Sequence, residues 1–333
     1  MQIFETKQNT IWLMRQAGRY LPEYRAIRSN FNNFLDLCYD IPAATEVTLQ
    51  PIRRFDFDYA ILFSDILVLP HLLGWDVKFA QGEGPILRKF ASQQDLDYLK
   101  NQKFSENSNK VYNIIANIRA QLSPDKPLIG FVGSPWTVAT YMIEGKGKQD
   151  FLLCKNMLRT DRILLLELID FLTEHTIIHL SNQIKAGANI VKLFDSWAGV
   201  LDGLDYLEMV VLPTQRIVEA LKQAFPSVPI IGFPKGSGEN YEIYLQFVQV
   251  DVLAVDQFVS VEKMAVWKKH VIVQGNLDPL VLLTTDKHEL ANSVDLILQS
   301  VGGNNFIFNL GHGIVPQTPI DNVEFLVNHV RKY

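Results

Sequence analysis

The stretch "PLIGFVGSPWTVATYMIEG", residues 127–145, contains the unit from which we predict the fold. Its first half is a nearly continuous apolar run, which is typical of a strand buried on both faces of a parallel sheet. Ser134 follows the run directly, and Thr137 is suited to the start of the helical segment that comes next. The segment therefore predicts a strand, a polar turn and a helix, which is the repeating unit of an α/β protein.

Further apolar runs alternate along the chain with longer segments of helical periodicity. Gly187 is a plausible stop for one of these helices, and Pro213 should kink or divide another. No internal repeat or low-complexity linker is found in the sequence, so we predict one domain over residues 1–333. The predicted strands are residues 59–63, 127–132, 189–194, 229–233, 252–255, 271–275 and 305–310.

Polar residues repeatedly follow these apolar runs, at the carboxyl ends of the predicted strands. In a (β/α)8 barrel those ends share one face, and that face carries the chemistry. An open doubly wound sheet also binds ligands at strand ends, but only around its switch point. Seven such ends, spread along the chain, favour the barrel. We expect the eighth strand between Leu67 and Lys89, where "GEG" suggests a turn between two extended pieces.

Residues 11–25, "IWLMRQAGRYLPEYR", gather arginines among aromatic side chains. A helix would place Arg15 and Arg19 at i and i+4, where like charges repel by roughly 0.2–0.5 kcal/mol. Pro22 also prevents a helix from continuing through the segment, so we expect a turn or loop. Arginine suits bidentate contacts with carboxylate or phosphate, whereas the alternative is neutralisation at the surface by Glu23 and other acids.

The composition indicates a globular protein without a basic or acidic tail. Of 333 residues 48% are hydrophobic, and 31 Lys and Arg face 36 Asp and Glu, so any anion site must be local. Cys38 and Cys154 are too few for a disulfide scaffold, which favours a reducing compartment. Residues 1–10 lack the pattern of a signal peptide, and Glu167 and Asp170 interrupt the most apolar helix. We therefore expect a cytoplasmic protein.

Four polar residues at predicted strand ends are candidates for chemistry, each with a structural alternative. Asp65 could accept N–H bonds from a ligand in a poorly hydrated pocket, or could cap a turn. Tyr141 could face a ligand or be an ordinary core aromatic. Ser196 could merely cap a turn, and because no base is adjacent in sequence, a serine nucleophile is not supported. His312 lies between two glycines, so its backbone can approach a ligand closely, although a structural histidine remains the alternative.

Motifs for tightly bound groups are missing from the sequence. It contains no H-x-C or C-x-x-C spacing and no G-x-x-x-x-G-K-[ST] phosphate loop. The glycine-rich pieces "GKGKQD" and "GSGEN" lack the strand and helix context of a dinucleotide site. We therefore expect no metal and no organic cofactor.

Six segments, in order and over nearly the full chain, resemble the uroporphyrinogen decarboxylase family: "MRQAGRYLPEYR", "FSDIL", "GFVGSPWTVATYMIEG", "LFDSWAG", "QGNLDP" and "NLGHGIVP". The resemblance implies a single (β/α)8 TIM barrel with an N-terminal arm at the active-site cleft, a homodimer, and catalysis without a cofactor. The implied reaction removes carbon dioxide from the four acetate side chains of uroporphyrinogen III and gives coproporphyrinogen III in haem biosynthesis. A substrate pyrrole protonated on carbon can receive the electrons, which removes the need for an electron-sink cofactor.

The resemblance also assigns roles to individual residues. It implies an ionised Asp65 that receives pyrrole N–H groups, and an arginine pair that binds carboxylates and relays or donates a proton. The implied catalytic residues are Asp65, Arg15, Arg19, Tyr141 and His312, and the implied substrate contacts are these five with Ser196, Phe131 and Phe194. We expect the arginine segment to precede the first barrel strand and to lie across the mouth, with Arg25 as an ordinary surface residue.

One position departs from the family pattern. A tryptophan is expected after Val255 and Asp256, and this chain has Gln257 there, which leaves a role for that position unsupported. Alternative functions are a zinc- and corrinoid-dependent methyltransferase of a related barrel family and a non-catalytic tetrapyrrole binder. A phosphate-binding barrel isomerase is disfavoured because "VGGNN" precedes its strand instead of following it.

Overall fold

A computed structural model of the protein describes residues 9–80, 84–147 and 150–333. Eight parallel strands form one curled sheet in the order β1-β10-β9-β8-β7-β6-β5-β2, and β3 and β4 form a separate antiparallel hairpin. All seven strands predicted from the sequence are confirmed. The strands are β1 Thr10–Ile11, β2 Ala60–Ile61, β3 Val77–Ala80, β4 Gly84–Leu87, β5 Leu128–Gly133, β6 Ile190–Asp195, β7 Ile230–Pro234, β8 Val252–Ala254, β9 Ile272–Leu277 and β10 Phe306–Leu310.

Helices follow the strands around the barrel. No helix in the described ranges is long and apolar enough to cross a membrane. The α-helices are α1 Pro22–Arg28, α2 Phe34–Tyr39, α3 Ile41–Phe55, α4 Val68–Leu72, α5 Gln93–Lys100, α6 Asn107–Gln121, α7 Pro135–Glu144, α8 Leu152–Thr160, α9 Arg162–Lys185, α10 Gly203–Tyr206, α11 Leu212–Ala224, α12 Asn240–Phe247, α13 Val261–Trp267, α14 Lys287–Val301 and α15 Ile320–Lys332. Ala198–Val200 and Pro279–Leu283 are 3₁₀-helices, and Leu207–Val211 is a π-helix.

Both predicted helix breaks are confirmed. The helix α9 ends at Lys185, and Gly187 then adopts a φ of +117°, which favours glycine. The segment around Pro213 is divided into α10, the π-helix and α11, with the proline in the first turn of α11. Proline is tolerated there because the amides of the first turn have no carbonyl partner within their own helix.

The eighth barrel strand is β1, so the prediction that placed it between Leu67 and Lys89 is wrong. That region contains α4 and the hairpin of β3 and β4, which lies outside the barrel sheet. Of the predicted "GEG" turn, residues 82 and 83 lie outside the described residues. The strand β1 escapes sequence analysis because its two residues run directly into the apolar start of the arginine segment, so no separate strand pattern stands out.

Since β1 comes first, the arginine segment follows the first barrel strand rather than preceding it. Trp12 to Leu21 form an irregular loop between β1 and α1, as predicted. Leu21 is extended, with φ −84° and ψ 127°, as expected for a residue before proline, and Pro22 then begins α1. The segment is therefore a strand-to-helix loop of the barrel and occupies the carboxyl-end face.

Side chains close the barrel between its two shortest strands. The Ile11 amide donates to Asp58 Oδ2 at 2.9 Å, and the Asp58 amide donates to the Ile11 carbonyl at 3.0 Å. Gln16, which is fully buried, donates from Nε2 to the Tyr59 carbonyl at 3.1 Å. These bonds satisfy backbone groups that the two-residue strands leave without ladder partners.

The outer helices pack closely on strands that carry glycine. A Cβ atom at Gly130 would lie 2.4 Å from Gln183 Oε1 of α9, so β5 faces that helix at this position. Gln183 Nε2 also donates to the Phe131 carbonyl at 2.9 Å. Because side chains alternate along a strand, Phe131 points into the barrel.

We predict that Asp58→Ala lowers the free energy of unfolding by about 1–3 kcal/mol, because the buried Ile11 amide loses its acceptor. Urea unfolding followed by circular dichroism measures the change. The control Asp76→Ala removes an exposed carboxylate that pairs with exposed Lys78, and it should cost less than about 1 kcal/mol. Equal losses of unfolding free energy in the two variants would contradict the role of Asp58 in closing the barrel between β1 and β2.

Candidate active site

The arginine loop is fixed to the carboxyl end of β10. The Met14 amide donates to Asn309 Oδ1 at 2.9 Å, and the Ile314 amide donates to the Met14 carbonyl at 3.0 Å. Within the loop, the Tyr20 hydroxyl donates to the Gln16 carbonyl at 2.7 Å. The first and last strands of the chain therefore place their following loops side by side at the mouth.

Arg15 lies against the loop that contains His312. A Cβ atom at Gly313 would lie 3.0 Å from Arg15 Cζ, so the glycine leaves space for the guanidinium group. Arg15 also adopts a φ of +65°, which is uncommon for a residue with a side chain and costs of order 1 kcal/mol. The surrounding contacts thus hold Arg15 in a strained conformation at the mouth.

Arg15 and Arg19 are exposed, and within the described part of the chain neither side chain forms an ion pair or a hydrogen bond. Glu23, which the sequence offered as a neutralising acid, instead binds Arg54 through bonds of 2.7 and 3.1 Å. The alternative in which Glu23 neutralises the pair is therefore not supported. Arg25 donates to the carbonyls of Arg19 and Tyr20 and so stabilises the loop.

Asp65 follows β2 and is partly exposed at the mouth. Its Oδ1 accepts a hydrogen bond of 2.9 Å from the Leu67 amide, so the residue caps a turn as well as facing the site. Burial raises the pKa of Asp65, whereas the Leu67 amide and the charge of Arg15 oppose that rise. The carboxylate is thus poorly hydrated and close enough to Arg15 to interact with its charge.

Tyr141 lies on α7 and is partly buried. Burial raises its pKa to about 12, the charge of Asp65 adds to the rise, and Arg15 opposes it. Its ring centroid lies 6.0 Å from that of Trp197, in the loop after β6. Arg15, Asp65 and Tyr141, which come from three different loops or helices, are therefore brought together.

His312 joins this group and is neutral at neutral pH. Burial lowers its pKa to about 4, the positive charges of Lys235 and Arg15 add to that effect, and Asp256 opposes it. Lys235, which follows β7, was not among the predicted site residues. Its strand-end position was visible in the sequence, but its proximity to His312 depends on how neighbouring strands are ordered.

The two phenylalanines that the resemblance implies as substrate contacts also lie next to each other. The rings of Phe131 and Phe194 lie 5.3 Å apart at 86°, and Phe194 packs edge-on against Phe233 at 6.0 Å. Phe194 is only partly buried, at the carboxyl end of β6. Ser196 is partly exposed two residues later. This part of the mouth is therefore an aromatic floor with a hydroxyl at its edge.

A buried carboxylate behind Ser196 fixes the loop after β6. Thr137 Oγ1 donates to Asp195 Oδ1 and accepts from the Trp197 amide at 3.0 Å. Burial raises the pKa of Asp195 to about 7, and its Oδ2 has no hydrogen-bond partner among the residues described. The helix α7 begins at Pro135, so Thr137 links α7 to β6 instead of starting the helix.

Gln257, the departure from the family pattern, lies beside the loop that contains His312, called the histidine loop below. A Cβ atom at Gly311 would lie 2.2 Å from the Gln257 backbone nitrogen, so the two backbones are in close contact. The structure thus places Gln257 next to His312 in space, but it shows no bond between the two side chains.

No group of three or more His, Cys, Asp or Glu side chains that could hold a metal ion is found within residues 9–80, 84–147 and 150–333. The sequence does contain an H-x-x-x-H spacing, at His175 and His179 of α9. His175 Nδ1 lies 2.8 Å from the Phe171 carbonyl, and His179 Nδ1 lies 3.1 Å from the Tyr112 hydroxyl. Both histidines therefore have hydrogen-bond partners within the helical layer.

The fold and the site together define a (β/α)8-barrel protein. Its mouth combines two exposed guanidinium groups, which have no ion pair among the described residues, with a poorly hydrated carboxylate and aromatic rings. The sequence model of the uroporphyrinogen decarboxylase family matches residues 5–333. The chain belongs to the uroporphyrinogen decarboxylase family.

Curated relatives cover almost the whole chain. The uroporphyrinogen decarboxylase of Rickettsia africae (strain ESF-5) is 56% identical over 326 residues, which are 97% of this chain and 93% of that protein. The uroporphyrinogen decarboxylase of Rickettsia bellii (strain RML369-C) is 54% identical over 323 residues, 97% of this chain and 94% of that protein.

Solved structures of lower sequence identity share the fold. A methyltransferase from Methanosarcina mazei superposes with a TM-score of 0.77 at 17% identity and covers 98% of this chain and 94% of its own. A B12-independent methionine synthase from Shewanella sp. W3-18-1 gives a TM-score of 0.59 at 12% identity, with 97% and 96% covered. These likenesses support the barrel and carry no information on the reaction.

We predict that Asp195 makes stability depend on pH. Its folded pKa of about 7 lies above the ordinary value of about 4, so between these values the folded state holds a proton that the unfolded state releases. The stability that Asp195 contributes therefore falls as pH rises through this window. Asp195→Asn should remove a slope of up to about 1.4 kcal/mol per pH unit, measured by urea unfolding from pH 4.5 to 7.5.

Thr137→Val provides the matched comparison. The Thr137 hydroxyl stabilises the Asp195 carboxylate, so its loss should raise the Asp195 pKa further. The free energy of unfolding should then continue to fall with pH above pH 7. Identical pH profiles for the wild type and Asp195→Asn would show that Asp195 does not titrate in this range.

Proposed function

We propose that the chain catalyses the decarboxylation of all four acetate side chains of uroporphyrinogen III, giving coproporphyrinogen III and carbon dioxide in haem biosynthesis. The observation that carries the proposal is the pair of exposed guanidinium groups of Arg15 and Arg19 at the barrel mouth, which have no ion pair among the described residues, with Arg15 close to Asp65. Guanidinium groups bind carboxylates in a bidentate manner, and this substrate carries eight of them. Family membership over nearly the whole chain supports the same reaction.

Each acetate loses carbon dioxide by breaking the bond between its methylene and its carboxylate. The bonding electrons pass from the methylene into a pyrrole that has been protonated on a ring carbon. The methylene is then protonated and the ring proton is released, so that in sum one proton is taken up and a methyl group remains. The protein must therefore hold the carboxylates, deliver protons and stabilise a cationic pyrrole.

Asp65 is proposed to act as an ionised carboxylate beneath the substrate. It would accept the pyrrole N–H groups and offset positive charge on the protonated ring. The Leu67 amide and Arg15 both favour its ionised form, whereas burial opposes ionisation. In a site with little water, the attraction between this carboxylate and a cationic ring is stronger than in bulk solvent.

The remaining residues are proposed to bind and orient the substrate. Arg15 and Arg19 hold its carboxylates, and one of them relays or donates a proton. Tyr141 and Ser196 offer hydroxyl groups, and neutral His312 offers a hydrogen bond without the positive charge of an imidazolium. Phe131 and Phe194 contact the flat faces of the pyrroles.

The proposal extends to the state of the protein. We propose that residues 1–333 form one domain and that the protein is a cytoplasmic homodimer. We also propose that the reaction needs neither a metal nor an organic cofactor. Porphyrinogen as the substrate class follows from the family, whereas the dimer rests on the sequence resemblance alone. Sedimentation at several protein concentrations tests the dimer.

We predict that anaerobic incubation with uroporphyrinogen III yields intermediates with seven, six and five carboxylates and finally a four-carboxylate product. Chromatography of the oxidised porphyrins measures the series, and EDTA or 1,10-phenanthroline should leave the rate unchanged. Unchanged starting material would overturn the proposal. Tight binding without carbon dioxide release would favour a tetrapyrrole carrier, and loss of activity with chelator would favour metal-dependent chemistry.

We predict that Asp65→Asn reduces single-turnover decarboxylation by about 100-fold or more, because the charge that stabilises the cationic ring is lost. Arg15→Lys should reduce kcat/KM by about tenfold or more, since an ammonium group cannot make the bidentate contact. The control Arg53→Lys changes an exposed arginine that pairs with Glu46, and it should behave as the wild type. Near-normal turnover in both site variants would refute the assignment.

A further inference from the structure

Lys192 lies inside the barrel, beneath the candidate site. It is fully buried on β6, where it pairs in register with Phe131 of β5 and Ile231 of β7. Residues paired in a parallel ladder share a face of the sheet, and Phe131 points inward. Lys192 therefore also points inward, below Phe194 on the same strand.

Aromatic rings enclose the amine. Nζ lies 4.7 Å from the ring centroid of Phe194, 4.9 Å from that of Trp12 and 5.0 Å from that of Phe233. It has no hydrogen-bond partner among the described residues. A buried polar group without a partner costs stability, so its presence calls for a functional explanation.

Two of the enclosing rings connect Lys192 to the aromatic floor and to the arginine loop of the site. Phe194 is one of the proposed substrate contacts and is partly exposed at the mouth. Trp12 is the first residue of the arginine loop and lies three positions before Arg15. The amine thus contacts the floor of the site and the base of the loop that carries the guanidinium groups.

Two opposing effects act on the charge of this amine. Burial lowers the pKa of Lys192 well below its usual range, whereas the faces of three aromatic rings favour the ammonium form. The titratable groups on the surrounding barrel elements are Arg15 on the Trp12 loop, Asp65 after β2, Asp195 on the opposite face of β6, and the neutral His312 after β10. Among the contacts described, none of these four side chains is hydrogen-bonded to Nζ.

We propose that Lys192 is a positioning residue that takes up a proton when the polyanionic substrate binds, and that its ammonium group then holds the Trp12 and Phe194 rings beneath the substrate. The negative charges of the substrate carboxylates stabilise the ammonium form, because Coulombic attraction is stronger in the buried interior than in bulk solvent. This proposal rests on the proposed function and adds a proton linkage to its binding step. Lys192 itself does not touch the substrate, because it is completely buried.

The test compares the wild type with Lys192→Met, which keeps the length of the side chain and removes the amine. Gln274→Met is the matched control: Gln274 is also fully buried in a barrel strand with both polar side-chain atoms unpartnered, but it carries no titratable charge. Asp195→Asn identifies any contribution from Asp195, which titrates in the same range. Replacing an unpartnered buried amine by a thioether should not lower stability.

Steady-state decarboxylation of uroporphyrinogen III is measured anaerobically between pH 6.5 and 9. For the wild type, KM should rise with pH by up to about tenfold per unit, with a smaller change in kcat. For Lys192→Met, KM should be raised at the lower pH and nearly independent of pH, whereas Gln274→Met should keep the wild-type slope. Calorimetric titration with coproporphyrinogen III, which the reaction does not consume, is carried out in buffers of different ionisation enthalpy. It should show up to about one proton taken up per site by the wild type and none from residue 192 in Lys192→Met.

Equal pH slopes of KM and equal proton uptake in the wild type and Lys192→Met would overturn the proposal while leaving the decarboxylase activity established. If Lys192→Met fails to fold, the wild type alone decides, because binding without proton uptake above pH 7 contradicts the linkage. Absence of wild-type turnover would instead refute the proposed function, and the role of Lys192 with it.

Discussion

Closure of the barrel at the two-residue strand β1 is the constraint on which the site depends. Ile11 is held on one side by Asp58 and on the other by the ladder to Phe308 of β10. The loop that follows is tied to β10 through Met14 and Asn309. Residues from the two ends of the chain thereby become neighbours, and Arg15 comes to lie against Gly313 beside the histidine loop.

The site gathers positive charge in a chain whose formal net charge is −5. Glu23 is occupied by Arg54, which leaves the guanidinium groups of Arg15 and Arg19 available at the mouth. Burial keeps His312 neutral and raises the pKa of Asp65, so limited solvation controls both groups. The same physical effect acts on Lys192 and Asp195 within β6, where burial disfavours the charged form of both side chains.

The barrel itself is shared widely and does not identify the chemistry. Structures at 17% and 12% identity have the same architecture, although their names describe methyl transfer and methionine synthesis. The candidate chemistry of this chain lies in the side chains on its carboxyl-end loops, where two arginines, a carboxylate and aromatic rings converge. Such loops can change without disturbing the strands beneath them, which is why one barrel supports several reactions.

The sequence by itself determined seven of the eight barrel strands, because each lies in an apolar run followed by polar residues, and it determined the loop before Pro22. It also supplied candidate site residues, some from polar positions at strand ends, which share one face of a barrel, and others from the family resemblance. Only the tertiary structure decided that β1 closes the barrel, that Glu23 binds Arg54, and that Lys192 is enclosed by rings from three separate segments. These features depend on contacts between residues far apart in the chain, and local periodicity carries no record of such contacts.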